Sequence, residues 1–151
     1  MIIRRNDPRD FREFAELNIE WIREFHEVEA SDRAMYYFPE RYAEAGNSIF
    51  AAVEGGEVVG VCALKRDADG GWELTKMAVD REVRGRGIGR ELMDVVEGYA
   101  RDELGVERIY LISNTVHAAA IRLYRRSGWV VTFEGPHPRY ARANIGMEKG
   151  F

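Results

Sequence analysis

The 151-residue chain holds one cysteine, four prolines and three histidines, and each scarcity removes a class of protein. A single cysteine, Cys62, cannot close an internal disulfide and fits a reducing compartment. It lies in the apolar run 58–64, so a buried structural thiol is expected rather than a nucleophile. His26, His117 and His137 are scattered without the spacing of a ligand set, so no metal site is expected. No apolar run approaches the ~18–20 residues that span a bilayer. The start, Met1-Ile2-Ile3-Arg4-Arg5, lacks an apolar core of signal-peptide length. A cytoplasmic location, with no membrane partner, is the expectation. Positive charge is also short: 22 basic against 26 acidic residues give a net charge of -4, so no global field recruits nucleic acid. That sign permits a basic substrate without implying one. No repeat, low-complexity tract or linker interrupts the chain, and one domain over residues 1–151 is expected.

What is present is a globular profile, 46% hydrophobic and 32% charged, long enough to bury a core. Asp7 and Pro8 signal a helix start. Phe11, Phe14, Leu17, Trp21, Ile22 and Phe25 then recur at helical spacing. A shorter helix is expected over about residues 39–45. From Ser48 the pattern turns to strands at 49–53 and 58–64 around a Glu54-Gly55-Gly56-Glu57 hairpin, then at 72–79 after the turn 67–71. A helix should run to about Leu104, with Ile88, Leu92, Val95, Val96 and Tyr99 as its core stripe. A strand at 106–113, a helix at 117–126 closed by Gly128, and strands at 129–133 and 140–147 complete the pattern. The order αα-βββ-α-β-α-ββ implies an α+β fold, a mixed sheet with helices on its faces.

The chemistry concentrates at Arg84-Gly85-Arg86-Gly87-Ile88-Gly89-Arg90, where the third strand leads into a helix. Glycines at 85, 87 and 89 let the backbone approach a ligand closely. The free N–H groups of the first helical turn favour an anion there. Arg84, Arg86 and Arg90 add positive charge, which suits a phosphate or pyrophosphate. A helix start that merely tolerates glycine is the plain alternative, but three glycines in five residues cost helix stability without a compensating use. A Walker loop is excluded because Gly-Lys-Ser/Thr is absent. NAD is disfavoured: the spacing is Gly-x-Gly-x-Gly, it follows a meander rather than a first strand, and the next strand ends in Ser113-Asn114.

Two motifs carry a family resemblance. Arg84-x-x-Gly87-x-Gly89 is similar to the acyl-CoA motif of the GNAT superfamily of N-acetyltransferases. Ala120-Ile121-Arg122-Leu123-Tyr124-Arg125-Arg126-Ser127-Gly128-Trp129 resembles its second motif. The likeness covers about residues 49–148, and the first two helices match only in outline. It implies transfer of an acetyl group from acetyl-CoA, as co-substrate, to a primary amine of a small molecule or protein. It also implies a sheet whose central strands splay to admit acyl-CoA. Backbone groups of Met77, Ala78 and Val79 would hold the pantetheine arm, with the Met77 N–H also polarising the thioester carbonyl. The Arg84–Arg90 loop, Ile88 included, would take the pyrophosphate, and Asn114 would be a further cofactor contact. Homodimers are common in the family, and no stretch of this sequence decides the matter. A non-catalytic acyl-CoA sensor is the alternative.

Transfer to an amine needs a neutral nucleophile, whereas a lysine-type amine titrates near ~10.4. Glu73 is the candidate base, on the same strand as the oxyanion donor and at a place where some family members carry a catalytic glutamate. An inter-strand charge pair is its bland reading. Tyr124 occupies the place of the family's general acid, and a phenol can donate its proton while its ring packs in the core. Many members carry Asn where this chain has His117, which reads here as a helix-start residue facing solvent. The acidic run Glu24, Glu27, Glu29, Asp32 and Glu40 reads as a solvated face or as the wall of a groove for a cationic amine. Tyr36, Tyr37 and Phe38 would line an acceptor pocket or cover the sheet, and Tyr140 and Arg142 have the same two readings.

Overall fold

Alternation along each strand decides which layer each residue joins. On β2 (Ser48–Glu54) and β3 (Glu57–Arg66) both faces are apolar, so the strands read as near-continuous hydrophobic runs. Phe50, Ala52, Cys62 and Leu64 enter one core, while Ile49, Ala51, Val61 and Ala63 enter the other. The computed structural model describes residues 1–151. Around these strands lie β1 (Ile2–Arg5), α1 (Phe11–Phe25), α2 (Ala30–Tyr37) and α3 (Pro39–Glu44). After them come β4 (Trp72–Val79), α4 (Ile88–Gly98), β5 (Arg108–Ser113), α5 (Ala118–Arg126), β6 (Val130–Glu134) and β7 (Ile145–Gly150). They form one seven-stranded sheet in the order β1-β2-β3-β4-β5-β7-β6, antiparallel except where β4 meets β5. Helices α4 and α5 cover the larger core, and α1 packs its Phe14 and Leu17 into the smaller one. No helix is long and apolar enough to cross a membrane.

The mixed sheet, the meander and the helix after the glycine loop are as the sequence implies. Three elements differ. The chain opens with β1, an edge strand of four residues, too short for its alternation to show; Asn6 then turns it into register, its Oδ1 accepting from Ile49 N–H at 2.7 Å. Helix α2 is additional, because its buried residue is Asp32 rather than an apolar stripe; a Glu29–Asp32 capping box starts it. The last strand begins at Ile145, not near Tyr140. Its register opposite β5, from Ser113↔Ile145 to Arg108↔Gly150, is set by sheet pairing that local pattern does not reveal. Beyond Gly98, α4 widens into a π-helical turn over Tyr99–Glu103.

The docking of α4 depends on a missing side chain. A Cβ at Gly60 of β3 would lie 2.8 Å from Ile88 Cγ2 and 3.2 Å from Leu92 Cδ1. Both neighbours are fully packed, so Gly60→Val should lower stability by roughly 1–3 kcal/mol through overpacking. Urea denaturation measures this, and an unchanged midpoint would contradict the packing argument.

Candidate active site

The sheet is open at its middle. β4 and β5 run parallel but pair only at Glu73↔Tyr110. Past that vertex the β5-facing edge of β4 has no strand partner, whereas β5 pairs with β7 along its length. The Tyr110 hydroxyl donates to Asp67 in the β3–β4 turn and closes the vertex. A bulge sits on the open edge: Val61↔Ala78 and Ala63↔Thr75 leave Lys76 and Met77 opposite Cys62 alone, and Lys76 takes the left-handed φ of 58°. Cys62 itself is fully buried, and burial pushes its thiol up, as suits a structural residue.

Backbone direction follows from the ladder. Asp80 N–H donates to Val59 C=O at 2.9 Å, so by the alternation of antiparallel pairs Ala78 bonds toward β3 and Val79 toward the open side. The expectation that Ala78 offers its backbone to a ligand is therefore corrected: its groups belong to the ladder. Val79 C=O does face the open side, where it accepts from Arg84 Nε at 3.1 Å.

The glycine loop matches the anion site inferred from its sequence. Gly85 and Gly87 hold φ of 86° and 82°, and Gly87 caps α4 in a left-handed conformation. None of the N–H groups of residues 84–90 reaches an acceptor on the protein. This is a run of free donors at a helix start, continuous with the open edge of β4. The arginines play a different part from the one foreseen. Arg84 places Nη1 and Nη2 each 3.0 Å from the Glu24 carboxylate, tying the loop to α1. Arg86 reaches Glu54 at 3.4 Å, and Arg90 reaches Asp94 at 3.7 Å. The backbone donors of the loop are unpartnered, whereas each of these guanidinium groups has a carboxylate within 4.0 Å.

Glu73 is 8% exposed and forms neither a hydrogen bond nor an ion pair. Lys65 lies opposite it across the ladder, yet no pair within 4.0 Å forms, so the charge-pair reading is not what the fold adopts. Burial raises its carboxyl above the ordinary value, with Asp67 adding and Lys65 and Lys76 opposing. Tyr124 lies on α5, 8% exposed, its ring centroid 6.1 Å from that of Trp129; its hydroxyl makes no bond within the protein. Burial pushes this phenol up to about 12, so it stays protonated at neutral pH.

Asn114 is engaged within the protein: its amide donates to Arg142 C=O at 2.8 Å and accepts from Val116 N–H at 3.0 Å. These bonds brace the loop after β5 against the segment that carries Arg142. His117 does not face solvent. It is 8% exposed, packed 4.5 Å from the Trp21 ring and 4.7 Å from the Phe25 ring, with Nδ1 unpartnered. Its Nε2 lies 3.2 Å from His26 Nε2, so two histidines that look scattered meet where α1 ends and α5 begins. Burial lowers both imidazoles. The acidic run divides: Glu27 and Glu40 are exposed without a side-chain partner, as a solvated face implies, whereas Glu24, Glu29 and Asp32 are paired. Glu24 is held by Arg84, while Arg142 reaches Asp32 at 2.6 Å and Glu29 at 3.2 Å. Asp32 is 5% exposed; burial alone would raise it, but Arg142 and the Glu29 N–H hold it low. Tyr36 docks on α1 through Glu16 at 2.9 Å. Only Arg142's ambiguity in the sequence hinted at this latch.

A splayed sheet, free donors at a helix start and an unpaired buried carboxylate thus meet at the middle of the sheet. Residues 15–129 match the acetyltransferase (GNAT) family, and the chain belongs to that family. It is 32% identical over 96 residues to N-acetyltransferase family 8 member 2 of Rattus norvegicus, covering 60% of this chain and 42% of that protein. It is 37% identical over 75 residues to IAA acetyltransferase of Azospirillum brasilense, covering 49% and 48%. The chain thus spans less than half the length of these curated relatives. Its fold is shared with yncA of Salmonella typhimurium, solved with its cofactor acetyl-CoA, at a TM-score of 0.76, 23% identity and 99% and 93% coverage.

Proposed function

We propose that the chain transfers an acetyl group from acetyl-CoA to a primary amine by direct attack on the thioester, and that it works in the cytoplasm. The observation that carries this reading is the run of N–H groups at residues 84–90 without a protein acceptor, opening beside the unpaired edge of β4. Those donors fit a pyrophosphate. The free edge fits the amide-bearing pantetheine arm, which would lie along it as a strand does.

Each residue then has a task. Met77, at the bulge, offers its N–H to the thioester oxygen and steadies the charge that develops there. Glu73 takes the proton from the acceptor ammonium, directly or through water. Its burial suits the role, because a raised carboxyl is a stronger base than an exposed one. Tyr124, which burial keeps protonated, donates a hydrogen bond to the departing thiolate and steadies its charge, and the free thiol takes its proton from solvent as it leaves. Family membership and the acetyl-CoA-bound structural relative support the acyl donor.

Mixing the protein with acetyl-CoA and a panel of amines, with thiol release as readout, tests the reading. Release is expected for at least one amine. Binding of CoA without release for every amine would favour a sensor, and tighter calorimetric binding of NAD or ATP than of CoA would overturn the cradle. Gly87→Val should weaken CoA binding about tenfold, since a side chain at φ 82° costs roughly 1–2 kcal/mol and shifts the loop. Calorimetry with CoA checks it, and an unchanged Kd would count against the loop.

A further inference from the structure

Most charges around the acceptor side are already paired. Arg142 is held by Asp32 and Glu29, and Glu24 by Arg84. Lys76 is the exception that the fold makes costly. It is half-buried, it forms no hydrogen bond or ion pair, and it occupies the left-handed φ of 58° at the bulge. That conformation costs a non-glycine residue about 1–2 kcal/mol, and strain of this kind clusters at functional positions. Burial lowers its ammonium below the ordinary value, Asp32 and Glu73 oppose that and Lys65 and Arg142 add to it, so a carboxylate brought to Lys76 would relieve a cost the fold leaves unmet. The Tyr42 hydroxyl on α3, buried without a partner, adds a further uncommitted polar group near Glu73.

Resting on the acetyl transfer proposed above, we infer that Lys76 receives a carboxylate of the acceptor, so that the acceptor is an amino-acid-like zwitterion with its amine toward Glu73. Glu73 and Lys76, both unpaired, make a complementary set: a carboxylate for the ammonium and an ammonium for the carboxylate. Glu73 and Lys76 stand three residues apart, about 10 Å along a strand, a span that the four-carbon stem of lysine can shorten to suit a small molecule. Lys65, opposite Glu73, is the competing cation, and it sits on regular strand without strain. A polyamine would set a like charge against Lys76, and a plain amine would leave it unpaired.

The test compares acceptors in pairs, each amino acid with its primary amide. Amidation also lowers the pKa of a neighbouring amine, so the readout is the change in the acid-to-amide ratio of kcat/KM between wild type and variant. Lys76→Met should reduce that ratio roughly 10- to 100-fold, leaving the amides nearly unaffected. Lys76→Arg should restore most of the ratio, which a merely structural role for the side chain would not produce. A ratio unchanged in Lys76→Met, equal losses on both members, or a ratio that follows Lys65→Met instead would each overturn the inference while leaving acetyl transfer standing. Failure of wild type to release thiol with any amine would overturn both.

Discussion

Glu73→Gln should lose about 10²–10⁴-fold in kcat/KM at neutral pH while binding CoA as the wild type does. The change keeps the shape of the side chain and removes only its ability to take a proton. Wild-type activity should fall as pH drops through the Glu73 titration, along a limb displaced upward from the ordinary carboxylate value, because burial raises this group. That limb should vanish from the residual activity of the variant. Stability should move the other way. A carboxyl whose folded pKa is raised holds its proton longer in the folded chain than in the unfolded one, so stability declines as pH rises through that window. Glu73→Gln is therefore more stable than wild type at neutral pH, and the advantage disappears below the ordinary carboxylate pKa. Thermal unfolding at two pH values reads this out. An active variant, or one destabilised at neutral pH, would remove Glu73 from the role of base.

Tyr124→Phe should lower kcat by about 10²-fold, the smaller end of what a positioned hydrogen-bond donor to a developing charge contributes. The ring stays in the core beside Trp129, and the lost hydroxyl has no protein partner to leave unsatisfied. The melting temperature and the Kd for CoA should both hold. The outcome that would sink the assignment is a kcat equal to wild type, which would leave Tyr124 as a packing residue. Because the hydroxyl acts on the leaving thiolate, thioesters of more acidic thiols should be transferred with a smaller penalty than acetyl-CoA.

The candidate site was legible where its chemistry is local. Glycines at 85 and 87 adopt the positive φ that their spacing suggested, and the donors they free are backbone groups that no side chain choice can hide. Tyr124 lies on α5 and Glu73 on β4 at the vertex of the splay, the elements that helical period and alternation imply for them. Ala78 was misjudged because one residue in a strand decides which neighbour its backbone meets, and the bulge at Lys76–Met77 that sets this phase leaves no mark in composition. The buried setting of His117 and the engagement of Asn114 escape local pattern because their partners, His26 and Arg142, lie 91 and 28 residues away.

The sequence alone determined the mixed sheet, the meander and the glycine turn that opens α4, since alternation, helical period and glycine conformation act between near neighbours. Only the tertiary structure decided which charges are satisfied. Arg84 finds Glu24 across 60 residues, and Arg142 finds Asp32 across 110. Such pairs follow no period, because they are settled by how helices pack over the sheet. Through them Glu24, Glu29 and Asp32 are paired, while Glu73 and Lys76 are left without partners inside the fold.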